Sequence, residues 1–127
     1  MRLFLVRHAE AAPGEPDELR RLTDAGRAAA RALGEQLATE SLDAVVCSPL
    51  LRARETAEAI ARAAGLTPEP DERLGFEATA DSLRAAVTGK GETVVAVGHQ
   101  PNCSEIVASL NGREVTFAPG DVEELQL

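Results

Sequence analysis

The chain has 127 residues, of which 44% are hydrophobic, 27% charged and only 2% aromatic, and its net charge is -8. That length suits one domain, 1–127, able to bury a core without staples, and the absence of Trp and Tyr leaves Ala, Val, Leu and Ile to build that core. The composition excludes disordered and membrane-spanning classes, and the acidic balance argues against nucleic acid or an anionic membrane as partner, because phosphate surfaces need a basic face.

"RLFLV" at the N-terminus reads as a buried strand that runs straight into Arg7 and His8. The apolar run is too short for the core of a signal peptide and Arg7 interrupts it, so a cytoplasmic protein is expected. In that compartment Cys47 and Cys103 are expected to be reduced, buried thiols. From Asp24 to Ala38, the residues Gly26, Ala29, Ala30, Leu33 and Leu37 share one helical face, with Asp24, Arg27, Arg31 and Glu35 opposite. Thr23 suits the N-cap of this helix. "LDAVVCS" (42–48) is the second strand. Ser48 is expected to cap the next helix, with Pro49 in its first turn, Ala53, Ala57, Ile60 and Ala64 inward, and Gly65 at its end.

"LTPEP" (66–70) can form only a short edge strand, since Pro68 and Pro70 donate nothing to a ladder. A third helix is expected from about Ala80 to Val87, with Leu83, Ala86 and Val87 inward. "TVVAVGH" (93–99) is another buried strand. Pro101 then opens a helix with Cys103, Ile106, Val107 and Leu110 on one face, stopped by Asn111-Gly112. "EVTF" (114–117) and "VEELQL" (122–127) look like closing strands around the turn "APGD". Strands alternating with helices predict a layered α/β domain with a mostly parallel sheet. Its ligand crevice should lie at the carboxyl ends of the strands, beside helix N-termini.

The chemically unusual residues fall at those ends. One strand ends in Arg7-His8, one in Ser48-Pro49 with Arg52 just beyond, and one in Gly98-His99. A lone histidine at a strand end is usually a hydrogen-bonded structural residue, and an arginine in an early helical turn is usually solvated, as Arg54 is expected to be. Convergence changes the balance: two arginines and both histidines of the chain sit at equivalent ends of core elements. Burying such cations without an anion is costly. Arginine forks match phosphate oxygens, a helix N-terminus adds free N–H groups, and a histidine nitrogen is a competent nucleophile. The set points to a phosphoryl group. Two separated cysteines and two separated histidines lack metal-ligand spacing, so neither metal nor cofactor is expected.

Four segments, "RHAE" (7–10), "LTDAG" (22–26), "SPLLRARETA" (48–57) and "VGHQP" (97–101), together resemble the histidine phosphatase superfamily, also called phosphoglycerate mutase-like. Within it the chain is similar to the short SixA-type phosphohistidine phosphatases. The resemblance implies a three-layer α/β/α fold without a lid subdomain. It also implies that His8 is the nucleophile, transiently phosphorylated. Arg7 and Arg52 would clamp the phosphoryl group, and His99 would be the second pocket histidine.

The pattern departs from larger relatives in one respect. The connection from Asp71 to Ala80 is too short for a lid carrying an acid that protonates the leaving oxygen. Glu77 and Glu72 are the nearest candidates for such an acid, against the plainer reading of solvated loop carboxylates, and Glu10 is expected on the rim. Arg21 stands where the family's "RPLT" has proline; Arg20 and Arg21 are either solvated or add positive potential near the crevice. A phosphoramidate has a labile P–N bond, so a missing acid and an open pocket both favour phosphohistidine on a signalling protein as substrate. The alternatives are a broad small-molecule phosphomonoesterase and, from another class, a non-catalytic phospho-group binding module; mutase activity would need a pocket that retains a diphosphorylated intermediate. Cys47, one residue before the pocket, raises the question of redox sensitivity, with buried strand filler as the plainer reading.

Overall fold

The computed structural model describes residues 1–127. Strands and helices alternate as β1 (Arg2–Arg7), α1 (Asp24–Ala38), β2 (Ala44–Cys47), α2 (Leu51–Ala64), β3 (Pro68–Pro70), α3 (Ala80–Val87), β4 (Thr93–Gly98), α4 (Asn102–Asn111) and β5 (Val122–Gln126). The sheet order is β3-β2-β4-β1-β5, with β1 to β4 parallel and β5 antiparallel against β1.

The continuous apolar runs of β1, β2 and β4 follow from a sheet covered on both faces. Leu3, Leu5, Val46, Val94 and Ala96 pack with Leu83 and Val87 of α3 and Ile106 and Val107 of α4. The alternate residues Phe4, Val6, Val45, Val95 and Val97 pack with Leu33 and Leu37 of α1 and Ala57 and Ile60 of α2. The result is the expected three-layer α/β/α fold. Each fully buried Val or Leu contributes roughly 1.5–3 kcal/mol. Cys47 and Cys103 are free and lie in opposite layers. Burial pushes both thiols up to about 12, so neither is a ready thiolate for redox chemistry.

Helix α1 spans the expected residues, and the Thr23 hydroxyl accepts from the Gly26 N–H as its cap. Its buried stripe differs at one place: Ala29 is exposed and Gly34 is buried instead. A Cβ on Gly34 would lie 2.8 Å from the Ala59 carbonyl oxygen, so the missing side chain lets α1 rest directly on α2. Helix α2 starts later than Ser48-Pro49 suggests. Its N-cap is Leu50, without a side-chain cap; the buried Ser48 hydroxyl accepts from the Leu50 N–H at 3.2 Å and meets His99 Nε2 at 2.7 Å. Thr56 and Ala61 are buried on its inner face, while Ala64 is half-buried.

Pro68–Pro70 forms the expected edge strand on β2. Of the two closing strands expected, only β5 forms. Residues 114–117 carry no strand; Phe117 turns its side chain into the core and gives its carbonyl to Arg7. Between Asp71 and Ala80 the chain makes a single 3-10 turn at Glu72–Leu74 and inserts no lid. No helix is long and apolar enough to cross a membrane.

Candidate active site

Parallel register brings the strand ends together. Arg7 of β1 lies opposite Gly98 of β4, so His8 and His99 leave the sheet side by side. Their ring centroids are 5.3 Å apart, and the His8 N–H donates to the Gly98 carbonyl at 3.0 Å. On the other flank of β4, the Ser48 N–H donates to the Val97 carbonyl, which sets the Ser48 hydroxyl 2.7 Å from His99 Nε2. Arg52, in the first turn of α2, joins the cluster through Phe76. That ring lies 5.6 Å from Arg52 Cζ and 4.8 Å from the centroid of His99. All four residues singled out in the sequence therefore converge.

His8 Nδ1 lies 2.8 Å from the carbonyl oxygen of Ala9. A carbonyl can only accept, so Nδ1 carries the ring proton and the Nε2 lone pair is free. Burial pushes His8 down to about 4, against the Ala9 hydrogen bond and with help from the charges of Arg52, Arg7 and Arg20. His99 is also pushed down to about 4, first by burial, then by His8 and Arg52. Both rings are therefore neutral at pH 7. As these are the only two histidines, proton NMR of the imidazole Cε–H signals checks this directly. Neither signal should titrate near the ordinary value of about 6.5, and a midpoint there for either ring contradicts the burial argument. Because both folded values lie below the unfolded one, the unfolded chain takes up more protons as pH falls. Stability should thus decline between about pH 6.5 and pH 4.

The donors around the two rings are unevenly used. Arg7 Nη1 donates to the Phe117 carbonyl at 2.9 Å, and Arg52 gives Nη1 to the Asp17 carbonyl and Nη2 to the Asp17 carboxylate, at 2.9 and 3.2 Å. In the whole chain just two buried side-chain nitrogens or oxygens lack a partner, Arg7 Nε and His99 Nδ1. An unmet buried donor or acceptor costs about 1–3 kcal/mol, and both nitrogens belong to this one cluster. An anion with several acceptor oxygens would satisfy them. The cluster does not line the cavity between α1 and α2. A phosphoryl-sized group needs donors more than volume.

Sequence reasoning missed Asp17. It is the carboxylate bonded to the cluster, held below its usual range first by the Arg20 hydrogen bond. Arg20 also donates to the Ala12 carbonyl, so it lies beside the crevice, whereas Arg21 and Arg54 are exposed. Glu72 and Glu77 are exposed, and neither side chain forms a hydrogen bond or ion pair.

Motif residues outside the four hold the His8 loop in place. The Thr56 hydroxyl accepts from the Ala9 N–H and donates to the Arg52 carbonyl, tying the His8 loop to α2. The Thr23 hydroxyl donates to the Glu10 carboxylate on the rim, and Glu55 accepts from the Leu22 N–H. A Cβ on Gly26 would sit 2.1 Å from the Glu10 carbonyl oxygen, so only glycine lets α1 pass this loop. The Gly120 N–H reaches the carbonyls of both Arg7 and His8.

The profile of the histidine phosphatase superfamily (branch 1) matches residues 3–75. The match contains Arg7, His8 and Arg52 and ends before His99, which the fold brings to them. No curated protein sequence matches the chain. Among solved structures, the protein histidine phosphatase SixA complexed with tungstate is similar over 100% of this chain and 88% of its own, at 25% identity and a TM-score of 0.88. A protein of Agrobacterium tumefaciens designated phosphohistidine phosphatase SixA matches over 97% of this chain and 88% of its own, at 26% identity and a TM-score of 0.82. Phosphoserine phosphatase of Entamoeba histolytica, in complex with 3-phosphoglyceric acid, shares the fold with a TM-score of 0.78 at 18% identity, over 97% of this chain and 89% of its own.

Proposed function

This chain belongs to the histidine phosphatase superfamily, and we propose that it is a phosphohistidine phosphatase working through a phosphorylated His8. The observation that carries this is the pair of unpartnered buried nitrogens, Arg7 Nε and His99 Nδ1, beside a neutral histidine whose Nε2 is free.

The phosphoryl oxygens take Arg7 Nε, His99 Nδ1–H and the Arg52 guanidinium, which lets go of Asp17. For His99 to donate from Nδ1, its Nε2 accepts from the Ser48 hydroxyl, a role compatible with their 2.7 Å contact. The His8 Nε2 lone pair forms a bond to phosphorus. The P–N bond to the substrate's imidazole breaks, and its electron pair stays on the departing nitrogen. If the other nitrogen of that ring already carries a proton, the imidazole leaves neutral and needs no acid. Water then attacks phospho-His8, the P–Nε2 bond breaks, inorganic phosphate leaves and the water's proton passes to solvent. Such transfers depend on positioning and on stabilising charge on the equatorial oxygens, which two arginines and a histidine donor provide.

Two features support phosphohistidine over a sugar or serine ester. Asp17, the carboxylate bonded to Arg52, is held below its usual range and so is ionised at neutral pH, unable to protonate an alkoxide. The lidless Asp71–Ala80 connection leaves room for a side chain presented on a folded protein. Similarity to the two SixA structures points the same way. The partner in this reading is a phosphohistidine-bearing signalling or phosphotransfer protein of the cytoplasm. The test compares kcat/KM on a histidine-phosphorylated protein, on phosphoserine and on a sugar phosphate. The phosphohistidine protein should be the best substrate; turnover confined to the small esters overturns the substrate and leaves a broad phosphomonoesterase.

A further inference from the structure

Phe76 is one of two large hydrophobic residues left exposed, at 57%, while Phe4 and Phe117 are buried. It is not a loose loop residue. The Asn102 side-chain amide donates to the carbonyls of Phe76 and Ala78 at 2.9 and 3.1 Å, and Asn102 stands three residues beyond His99. Leu74, two residues before Phe76, is anchored in the core. The ring is thus held half in solvent, against His99 and near Arg52. Nothing in the transfer steps above uses it.

We propose that Phe76 is a specificity-determining residue, a platform against which a planar aromatic leaving group rests while its phosphoryl group is held by the arginines and histidines. The proposal rests on the phosphoryl-transfer reading of the site. In-line displacement sends the leaving group away from His8, toward the solvent side of the pocket. Phe76 is the exposed aromatic group that touches the pocket there. Its ring offers a planar leaving group an offset or edge-to-face partner, and offers a protonated imidazole a cation–π contact as well. A flexible alkyl or sugar leaving group gains neither.

The experiment uses two inert probes, phenylphosphonate and cyclohexylphosphonate, titrated into wild type and into Phe76→Leu and Phe76→Trp variants. Phenylphosphonate carries its planar ring directly on phosphorus, as a phosphoimidazole does; the cyclohexyl probe has similar bulk without the π face. Wild type should bind the phenyl probe more tightly by about 2- to 10-fold, the factor an aromatic pair contributes beyond simple burial. Phe76→Leu should bring the ratio of the two dissociation constants close to one, and Phe76→Trp should preserve it. A wild-type ratio of one, or a ratio unchanged by Phe76→Leu, overturns the platform. Because these probes are not turned over, the result is independent of whether phosphohistidine is the substrate. An intact phenyl preference with no phosphohistidine turnover upholds the platform and removes the substrate reading alone.

Discussion

Replacing His8 by Ala is expected to reduce turnover by roughly 10⁴-fold or more, the scale on which loss of a nucleophile acts. The reason is chemical. Without Nε2 there is no covalent intermediate, and water must attack a phosphoryl group whose charge still repels it. The arginine clamp would remain, so the variant should still bind inorganic phosphate. Folding should survive the change, since His8 is held as a neutral ring by one side-chain hydrogen bond, to the Ala9 carbonyl; thermal unfolding of the variant checks this. The direct readout is the phosphoenzyme. Wild type mixed with labelled substrate should give an acid-labile, base-stable adduct, and the variant none. Undiminished turnover in the variant removes the mechanism. Saturable phosphate binding by wild type, with neither turnover nor adduct, would instead make the protein a phospho-group binding module.

The strands were legible in the sequence because both faces of the sheet are covered, which turns β1, β2 and β4 into unbroken apolar runs. The start of α1 was legible because Thr23 caps it through a local bond to Gly26. What escaped was set by contacts distant in sequence. Ser48 has the composition of a helix cap, but its hydroxyl serves His99, 51 positions away. Residues 114–117 alternate like a strand, yet Phe117 is drawn inward and its carbonyl serves Arg7, 110 positions away. The site followed the same division. Arg7, His8 and His99 were visible because a parallel register aligns the ends of neighbouring strands. Asp17 and Phe76 were not, since each comes from a connecting segment, Asp17 from a single 3-10 turn at Asp17–Leu19, too short to show periodicity. Their partners become visible only in three dimensions.

Arg52→Ala is expected to lower kcat/KM by about 10²–10³-fold, the usual loss when one oriented donor to developing oxyanion charge is removed. Lysine should not restore it, because a single ammonium lacks the planar fork that meets two oxygens at once. The opposite effect is expected one contact away. Before substrate arrives, the Arg52 fork is occupied by the carbonyl and carboxylate of Asp17, so an incoming phosphoryl group must first displace a carboxylate. The Asp17 side chain is half exposed, so solvent screening keeps the effect small, roughly 1.5- to 5-fold. Asp17→Ala should therefore lower KM by that factor. If Asp17 instead orients Arg52 for catalysis, the same substitution would lower kcat. The double variant separates the two accounts. Competition acts only through the guanidinium, so in an Arg52→Ala background the loss of Asp17 should leave KM where Arg52→Ala alone put it. A further fall in KM there would mean that Asp17 repels the substrate directly, without Arg52 as intermediary.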